Sequence, residues 1–288
     1  MNGAKILSIA AERPAKTMSN DELPGKFDID DAWIQSRTGI ATRGVANDEE
    51  TLIEMSAGAA SKAIAAAGID PATIDLTIVA TSSNPITTPG IAPPLTNRLS
   101  LTSGAFDIMA ACAGFCYSLN VAADSIRVGS ARNVLVVGAE RITDRMDWND
   151  RNTCYLFGDG AGAAIVAATD VEDDGIGPVV WGSDGALADY IAQPIDSPYL
   201  QMDGQAVFKW AITEVAGIAR EACEKAGIEP KDLAAFVPHQ ANLRIVESVA
   251  RSLGVGESTV VADDVRYSGN TSAASIPLAT ARMKDEGR

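Results

Sequence analysis

Three side chains that could cooperate in acyl chemistry lie far apart along the chain. Cys112 lies in AACAGF, His239 in FVPHQAN and Asn270 in YSGNTSAAS. A thiolate is a nucleophile, an imidazole exchanges protons, and an amide donates hydrogen bonds to an oxyanion. If the fold brings them together, a Cys, a His and an Asn could form an acyl-transfer site or a cysteine-hydrolase site.

Cys112 follows a predicted strand over 105–110 and precedes a helix predicted to open at Ala113. Free backbone N–H groups and the helix dipole stabilise a thiolate at such a position, so the position suits a nucleophile. The alternative is a small buried side chain, which is the usual use of a free cysteine. The other cysteines keep that second interpretation: Cys116, Cys154 and Cys223.

His239 is the only histidine, so any imidazole chemistry must use it. It follows a predicted strand over 234–237, and the carboxyl ends of strands are where α/β proteins place their sites. Asn270 follows Gly269 in a tight turn before a predicted helix. The alternatives without a catalytic role are a structural hydrogen bond for His239 and a helix N-cap for Asn270.

The elements that must position these residues come in two copies. AAGIDPATIDLTIV (66–79) is matched by KAGIEPKDLAAFVP (225–238), 159 residues later. The same offset places 106–126 over 265–285 and brings Cys112 beside Asn270. The repeat predicts two halves, 1–168 with the nucleophile and 169–288 with the His and the Asn.

Each half alternates strands with helices, which predicts stacked α/β layers around mostly parallel sheets. In the first half we expect helices near 51–67 and 113–129, with strands near 4–10, 74–80, 105–110, 133–139 and 161–168. The glycines of FGDGAGAA (157–164) lead into an apolar strand, so they are predicted to serve packing and not to cradle a phosphate. The last two strands of the first half would map beyond Arg288, so we expect the second half to lack its closing strands.

Composition excludes several classes of function. The formal charge is −15, which argues against nucleic acid or anionic membrane surfaces as partners. No apolar run approaches the roughly 18 residues that span a bilayer, and the first residues lack a signal-peptide pattern. The cysteines form no C-x-x-C pair, so no metal knuckle is predicted. We expect a cytoplasmic protein.

Several motifs resemble those of the β-ketoacyl-acyl-carrier-protein synthase III family. The matching segments are DAWIQSRTGIATR (31–43), AACAGF (110–115), FGDGAGAA (157–164), VPHQANLRI (237–245) and GNTSAAS (269–275). They occur in the family's order and span nearly the whole chain. The resemblance implies a thiolase-like layered αβαβα fold, a homodimer, and condensation of an acyl-CoA primer with malonyl-acyl carrier protein at the start of fatty acid synthesis.

The resemblance also implies roles for individual residues. Cys112 would be acylated, and its backbone N–H would be an oxyanion donor. His239 and Asn270 would stabilise the enolate left by decarboxylation of malonyl. No metal or redox cofactor is implied. The implied contacts to coenzyme A are Trp33, Arg37, Arg151 and Asn242, and those to the carrier protein are Lys209, Arg244 and Arg251.

Two departures and three alternatives accompany the resemblance. Thr88 stands where some members carry a bulky Phe, which predicts room for longer or branched primers. The glycine-rich strand that supplies a second oxyanion N–H in the family is not found in the sequence. The alternatives are a starter-unit synthase of a polyketide pathway, a papain-type hydrolase, whose C-G-[SA]-C-[WY] motif is missing, and a non-catalytic carrier-binding subunit.

Overall fold

Long apolar runs in the first half form one central sheet. The computed structural model describes residues 2–24 and 27–288. The sheet has the strand order β1-β7-β6-β4-β5. Its strands are β1 (Gly3–Glu12), β4 (Leu76–Ala80), β5 (Gly104–Ile108), β6 (Asn133–Arg141) and β7 (Asp159–Thr169). Strand β7 is antiparallel to both of its neighbours, while β4 pairs in parallel with β5 and β6.

Helices cover both faces of this sheet, as its apolar strands require. One face packs against α2 (Leu52–Ala67), which is capped by Thr51 and ends at Gly68 in the left-handed conformation. The other face packs against α4 (Gly114–Arg127) and α8 (Ser275–Asp285), whose buried faces are lined by small and apolar residues. The five strands and two helices predicted for the first half are therefore confirmed.

The second half adds a further layer on the far side of α8. Strands β10 (Ala235–Phe236) and β11 (Val260–Val261) form a parallel pair. Ala279 and Met283 of α8 pack with buried residues around that pair. The long helix α5 (Gly204–Ala226) packs along α6 (Leu243–Leu253). Together with the first half, this gives the alternating α/β layers of the predicted fold class.

The remaining elements are short. They include two antiparallel strand pairs, β2 with β3 and β8 with β9. Their bounds are β2 (Thr17–Ser19), β3 (Thr42–Gly44), β8 (Ile191–Ala192), β9 (Gln201–Met202), α1 (Asp31–Thr38), α3 (Ala92–Arg98) and α7 (Val265–Ser268). Among the described residues, no helix combines the length and the apolar character needed to cross a membrane.

Two features of the first half have counterparts in the second half: the end of a helix and a short turn that precedes another helix. The first turn (Ala111–Ala113) leads into α4, and the second turn (Ser272–Ala274) leads into α8. The turns are 161 residues apart, whereas the helix ends at Gly68 and Gly227 are 159 apart. The uniform offset of 159 was therefore wrong at the turns, because the second half has two more residues before its turn. Cys112 corresponds to Ala273.

The glycines of FGDGAGAA lie where α8 crosses the sheet. A Cβ on Gly160 would lie 2.9 Å from Leu278 Cδ1, and one on Gly162 would lie 2.5 Å from Pro277 Cβ. Larger residues would push α8 away from β7 and with it the second turn. The predicted packing role of these glycines is confirmed.

Candidate active site

The first turn presents Cys112 between the end of β5 and the start of α4. Ala111 adopts φ +44°, a value that side chains other than glycine rarely take, so the turn is held in a strained conformation. Such strain persists only where the surrounding structure enforces it. The turn places Cys112 on the wall of a large cavity, which is described below.

Burial governs the ionisation of Cys112. It raises the pKa of the thiol to about 11, and the nearby charge of Glu140 raises it further, while Ser272 and the backbone N–H of Cys112 favour the thiolate. The thiol is therefore protonated at neutral pH in the free protein. The expectation of a stabilised thiolate was wrong for this state, because α4 begins two residues later at Gly114 and desolvation outweighs the polar contacts.

The second turn lies against the first and orients Asn270. The Sγ of Cys112 is 3.6 Å from the Oγ of Ser272, which itself has φ +46°. The Ser272 amide donates to Asn270 Oδ1 at 2.9 Å, and the Asn270 backbone N–H donates to Leu156 O at 2.8 Å. No acceptor for Asn270 Nδ2 occurs among residues 2–24 and 27–288. That amide group is available to donate to a substrate oxygen.

His239 lines the same cavity and is held from the N-terminus of α8. Its Nδ1 is 2.7 Å from Ser275 Oγ, and the backbone N–H of Gln240 donates to the same hydroxyl at 3.3 Å. Burial lowers the pKa of His239 to about 4. The imidazole is therefore neutral at pH 7 and can take part in hydrogen bonds in that form.

Glu140 is a buried carboxyl that sequence reasoning did not find. It lies at the end of β6 and accepts hydrogen bonds from Ser82 N at 3.1 Å and from Ser83 Oγ at 2.6 Å. Burial raises its pKa to about 7, against opposing contributions from these donors, Ser272 and the Ala273 amide. Glu140 thus ties the end of the central sheet to the second turn and adds a charge near Cys112.

One cavity of about 1720 Å³ unites the predicted residues. Its wall includes the predicted catalytic and coenzyme A residues, namely Cys112, His239, Asn270, Trp33, Arg37, Arg151 and Asn242. The guanidinium carbons of Arg37 and Arg151 lie 5.6 Å and 5.3 Å from the Trp33 ring centroid. Tyr155 packs edge-on against the same ring at 5.6 Å. This tryptophan cluster offers an aromatic face and two cations, which suit a purine and its phosphates.

The predicted carrier-protein residues lie on α5 and α6, two helices that contribute to the cavity wall. Arg244 lines the cavity, and its guanidinium carbon is 5.3 Å from the Phe208 ring centroid. Lys209 and Arg251 are exposed and do not line it. Asn242 caps α6 by accepting from Arg244 N at 2.9 Å, and its Nδ2 donates to Arg37 O at 3.2 Å. Asn242 therefore joins α6 to the tryptophan cluster.

Thr88 is placed differently from the prediction. It lies in an exposed loop and is not part of the cavity wall of the chain. The apolar part of that wall near the turns comes from other residues, among them Ile142, Phe157, Leu200 and Met202. The assignment of Thr88 to the acyl pocket is not supported by the geometry of one chain.

Comparisons with known proteins show the family of the chain. A family model described as 3-oxoacyl-acyl-carrier-protein synthase III matches residues 106–185, and the model of its C-terminal part matches 223–288. The chain is 46% identical over 287 residues to β-ketoacyl-acyl-carrier-protein synthase III 4 of Streptomyces coelicolor, with 99% of this chain and 90% of the relative covered. The chain belongs to this family. It is an acyl-condensing transferase of fatty acid biosynthesis with the thiolase fold.

Solved structures of the family match this chain along nearly its whole length. 3-Oxoacyl-acyl-carrier-protein synthase III of Aquifex aeolicus matches with a TM-score of 0.93 at 38% identity, covering 99% of this chain and 92% of that one. The priming β-ketosynthase of the R1128 polyketide pathway matches with a TM-score of 0.93 at 44% identity, covering 98% and 87%. These similarities favour a condensing enzyme over the hydrolase and the non-catalytic subunit.

Proposed function

We propose that Cys112 is the residue that carries the acyl group during condensation. Its thiol attacks the carbonyl carbon of an acyl-CoA primer, the C–S bond to coenzyme A breaks, and the thiol proton leaves with coenzyme A. The observation that carries this proposal is the contact of the two turns, which sets Cys112, Asn270 and His239 around one cavity. The backbone N–H of Cys112 would be one donor to the oxyanion formed in this step.

His239 and Asn270 serve the second step. Malonyl-acyl carrier protein loses carbon dioxide, and the remaining electron pair forms an enolate on the thioester. Asn270 Nδ2 and the neutral imidazole of His239 donate hydrogen bonds to that oxygen. The enolate carbon attacks the acyl carbon on Cys112, expels the cysteine sulfur and gives a β-ketoacyl carrier protein. Each step is an acyl transfer or a decarboxylation, so the scheme uses no metal and no redox cofactor.

Coenzyme A would bind along the wall that carries the tryptophan cluster. The adenine of coenzyme A stacks near Trp33, and the cations of Arg37 and Arg151 face the phosphates of coenzyme A. Asn242 contacts the pantetheine arm. Replacing Trp33 by Ala is expected to raise the KM for acyl-CoA about tenfold, on the scale of one lost base stacking contact. Trp181→Ala is the matched control, because Trp181 packs on Tyr117 and does not line the cavity.

An acidic carrier protein would dock on Lys209, Arg244 and Arg251, despite the overall charge of −15. Lys209→Ala should raise the KM for malonyl-acyl carrier protein several-fold, more strongly at low salt, and leave the acylation of Cys112 unchanged. Lys225→Ala on the same helix is the control, since Lys225 pairs with Glu221. An equal effect of both variants would remove Lys209 from the docking surface.

A homodimer is the proposed assembly. Strand β5 is an edge of the central sheet, and its neighbourhood exposes apolar side chains, with Phe106 at 40% and Met109 at 81% exposure. Edges of this kind pair readily with another chain. Light scattering on the purified protein should give twice the chain mass, and Met109→Asp should lower it.

Mass spectrometry of the intact protein, after incubation with a panel of acyl-CoAs, tests the proposed function. We expect an acyl adduct on Cys112 and, after addition of malonyl-acyl carrier protein, a β-ketoacyl product. The second candidate is a starter-unit synthase of a polyketide pathway, favoured by the likeness to the R1128 priming ketosynthase. It predicts faster turnover with the carrier protein of a polyketide pathway than with that of fatty acid synthesis.

A further inference from the structure

Ser275 is a buried hydroxyl that the proposed scheme does not use. It is the first residue of α8 and is 1% exposed. Its Oγ has two polar neighbours, His239 Nδ1 at 2.7 Å and the backbone N of Gln240 at 3.3 Å. In the contact between Oγ and Nδ1, the shared proton belongs either to the hydroxyl or to the ring nitrogen. The geometry around Oγ decides between these two arrangements.

The backbone amide of Gln240 can only donate, so it takes one lone pair of the hydroxyl. If Nδ1 also carried a proton, both neighbours would donate to Oγ, and the hydroxyl proton would have no acceptor among the described residues. A buried donor without an acceptor is unfavourable. If Nδ1 is unprotonated, the hydroxyl donates to it and every proton at this point is satisfied.

The position of Gln240, next to His239, is itself fixed. Gln240 is 1% exposed, its Nε2 donates to Pro238 O at 2.9 Å, and its Oε1 accepts from Val265 N at 3.2 Å. The segment that carries His239 is therefore held by α7 on one side and by Ser275 of α8 on the other.

We infer that Ser275 is a positioning residue that keeps His239 as the tautomer with its proton on Nε2. Resting on the proposed function, this inference explains how a neutral imidazole is always ready to donate to the thioester oxygen. In the other tautomer, Nε2 would have a lone pair directed at the developing negative charge.

The single histidine makes the inference directly measurable. Protein labelled with ¹⁵N-histidine gives ring correlations that belong to His239 alone, so no assignment is needed. At pH 7 we expect one neutral form with a pyrrole-like Nε2 and a pyridine-like Nδ1. A pyrrole-like Nδ1 in the wild-type protein would overturn the inference and leave the proposed role of Cys112 untouched.

Variants at position 275 test the cause. Ser275→Ala should give a mixture of tautomers and lower the condensation rate about 10- to 100-fold, the range found for groups that orient a metal-bound imidazole. Acylation of Cys112 should stay within about twofold. Ser275→Thr keeps the hydroxyl and should give the same spectrum as the wild-type protein. Ser56→Ala, which removes a buried hydroxyl in α2, is the control for stability.

The outcomes distinguish a failure of the inference about Ser275 from a failure of the proposed function. An unchanged tautomer in Ser275→Ala, with the variant folded, overturns the inference. If Ser275→Ala does not fold, the wild-type spectrum and Ser275→Thr still decide it. Normal condensation by His239→Ala would instead overturn the proposed function, whatever the spectra show.

Discussion

The first and second turns share a backbone feature and differ in the side chains that they present. Each begins with a residue at positive φ, +44° for Ala111 and +46° for Ser272, and each leads into a helix. In the first turn the middle residue is Cys112, which reaches the cavity. In the second turn the middle residue is Ala273, which is 1% exposed. The two turns thus match in the sign of φ at their first residues, and the first turn carries the cysteine that we propose as the nucleophile.

The residues that begin the two helices differ in the same way. Gly114 begins α4, and a Cβ there would lie 2.9 Å from that of Ala80, so no side chain fits. Ser275 begins α8 and contacts His239. The second turn also supplies Ser272, and Asn270 lies two residues before that turn. In the proposed function, the first turn would hold the acyl group and the segment around the second turn would direct hydrogen bonds.

The largest expected effect is that of removing the proposed nucleophile. Cys112→Ala should abolish the acyl adduct and lower condensation by at least about a thousandfold, as removal of a catalytic nucleophile does elsewhere. Intact mass and product formation are the measurements. Cys116→Ala, one helical turn along α4, is the control and should keep full activity. An adduct that persists in Cys112→Ala would place the nucleophile elsewhere.

A change beneath the second turn should affect stability. In Gly138→Ala the new Cβ would overlap the carbonyl oxygen of Ala273. Because β6 is buried and cannot move easily, we expect a loss of about 1–3 kcal/mol in the free energy of unfolding and a larger loss in condensation than in acylation. Denaturant unfolding and the two half-reaction rates check this. Unaltered stability would mean that the contact between β6 and the turn is loose.

Glu140→Gln tests the electrostatic link between the turns. Removing the charge should lower the pKa of Cys112 from about 11, because a nearby carboxylate disfavours the thiolate. Since Glu140 itself has a pKa of about 7, the difference should appear above that pH and vanish below it. At pH 8 we expect alkylation of Cys112 by iodoacetamide to be about three- to tenfold faster. A slower reaction would contradict the assigned sign.

Ser272→Ala should have the opposite and smallest effect. The Ser272 hydroxyl favours the thiolate of Cys112, so its removal should raise the pKa of the thiol and slow alkylation at pH 8 about two- to fivefold. The backbone amide of residue 272 would still hold Asn270. If Glu140→Gln and Ser272→Ala change the rate in the same direction, the contact of the two turns does not control the nucleophile.

Sequence alone predicted the repeated elements because their signals are local. The apolar run of β7 and its packing glycines could be recognised in this way. The meeting of Cys112, His239 and Asn270 was also anticipated, because strand ends and turns place all three at one edge of the fold.

The polar contacts around Cys112 could not be predicted in the same way. Glu140, Ser272 and Ser275 come from β6, the second turn and α8, and nothing in AERI or TSAAS indicates which carboxyl or hydroxyl is buried. The pKa of Cys112 was predicted in the wrong direction, because desolvation depends on the packed surroundings and not on the start of a helix. The two extra residues in the second half also escaped the repeat comparison, since loop lengths carry no periodic signal.

The division of work between the turns is tested most directly by Asn270→Ala, with both half-reactions measured on the same preparation. Acyl transfer from acyl-CoA to Cys112 should stay within about threefold of wild type, while condensation with malonyl-acyl carrier protein should fall about 100- to 1000-fold, the usual loss for an oxyanion donor. Asn97→Ala, an exposed position on α3, should change neither rate. Equal losses in both half-reactions, or normal condensation, would contradict the account.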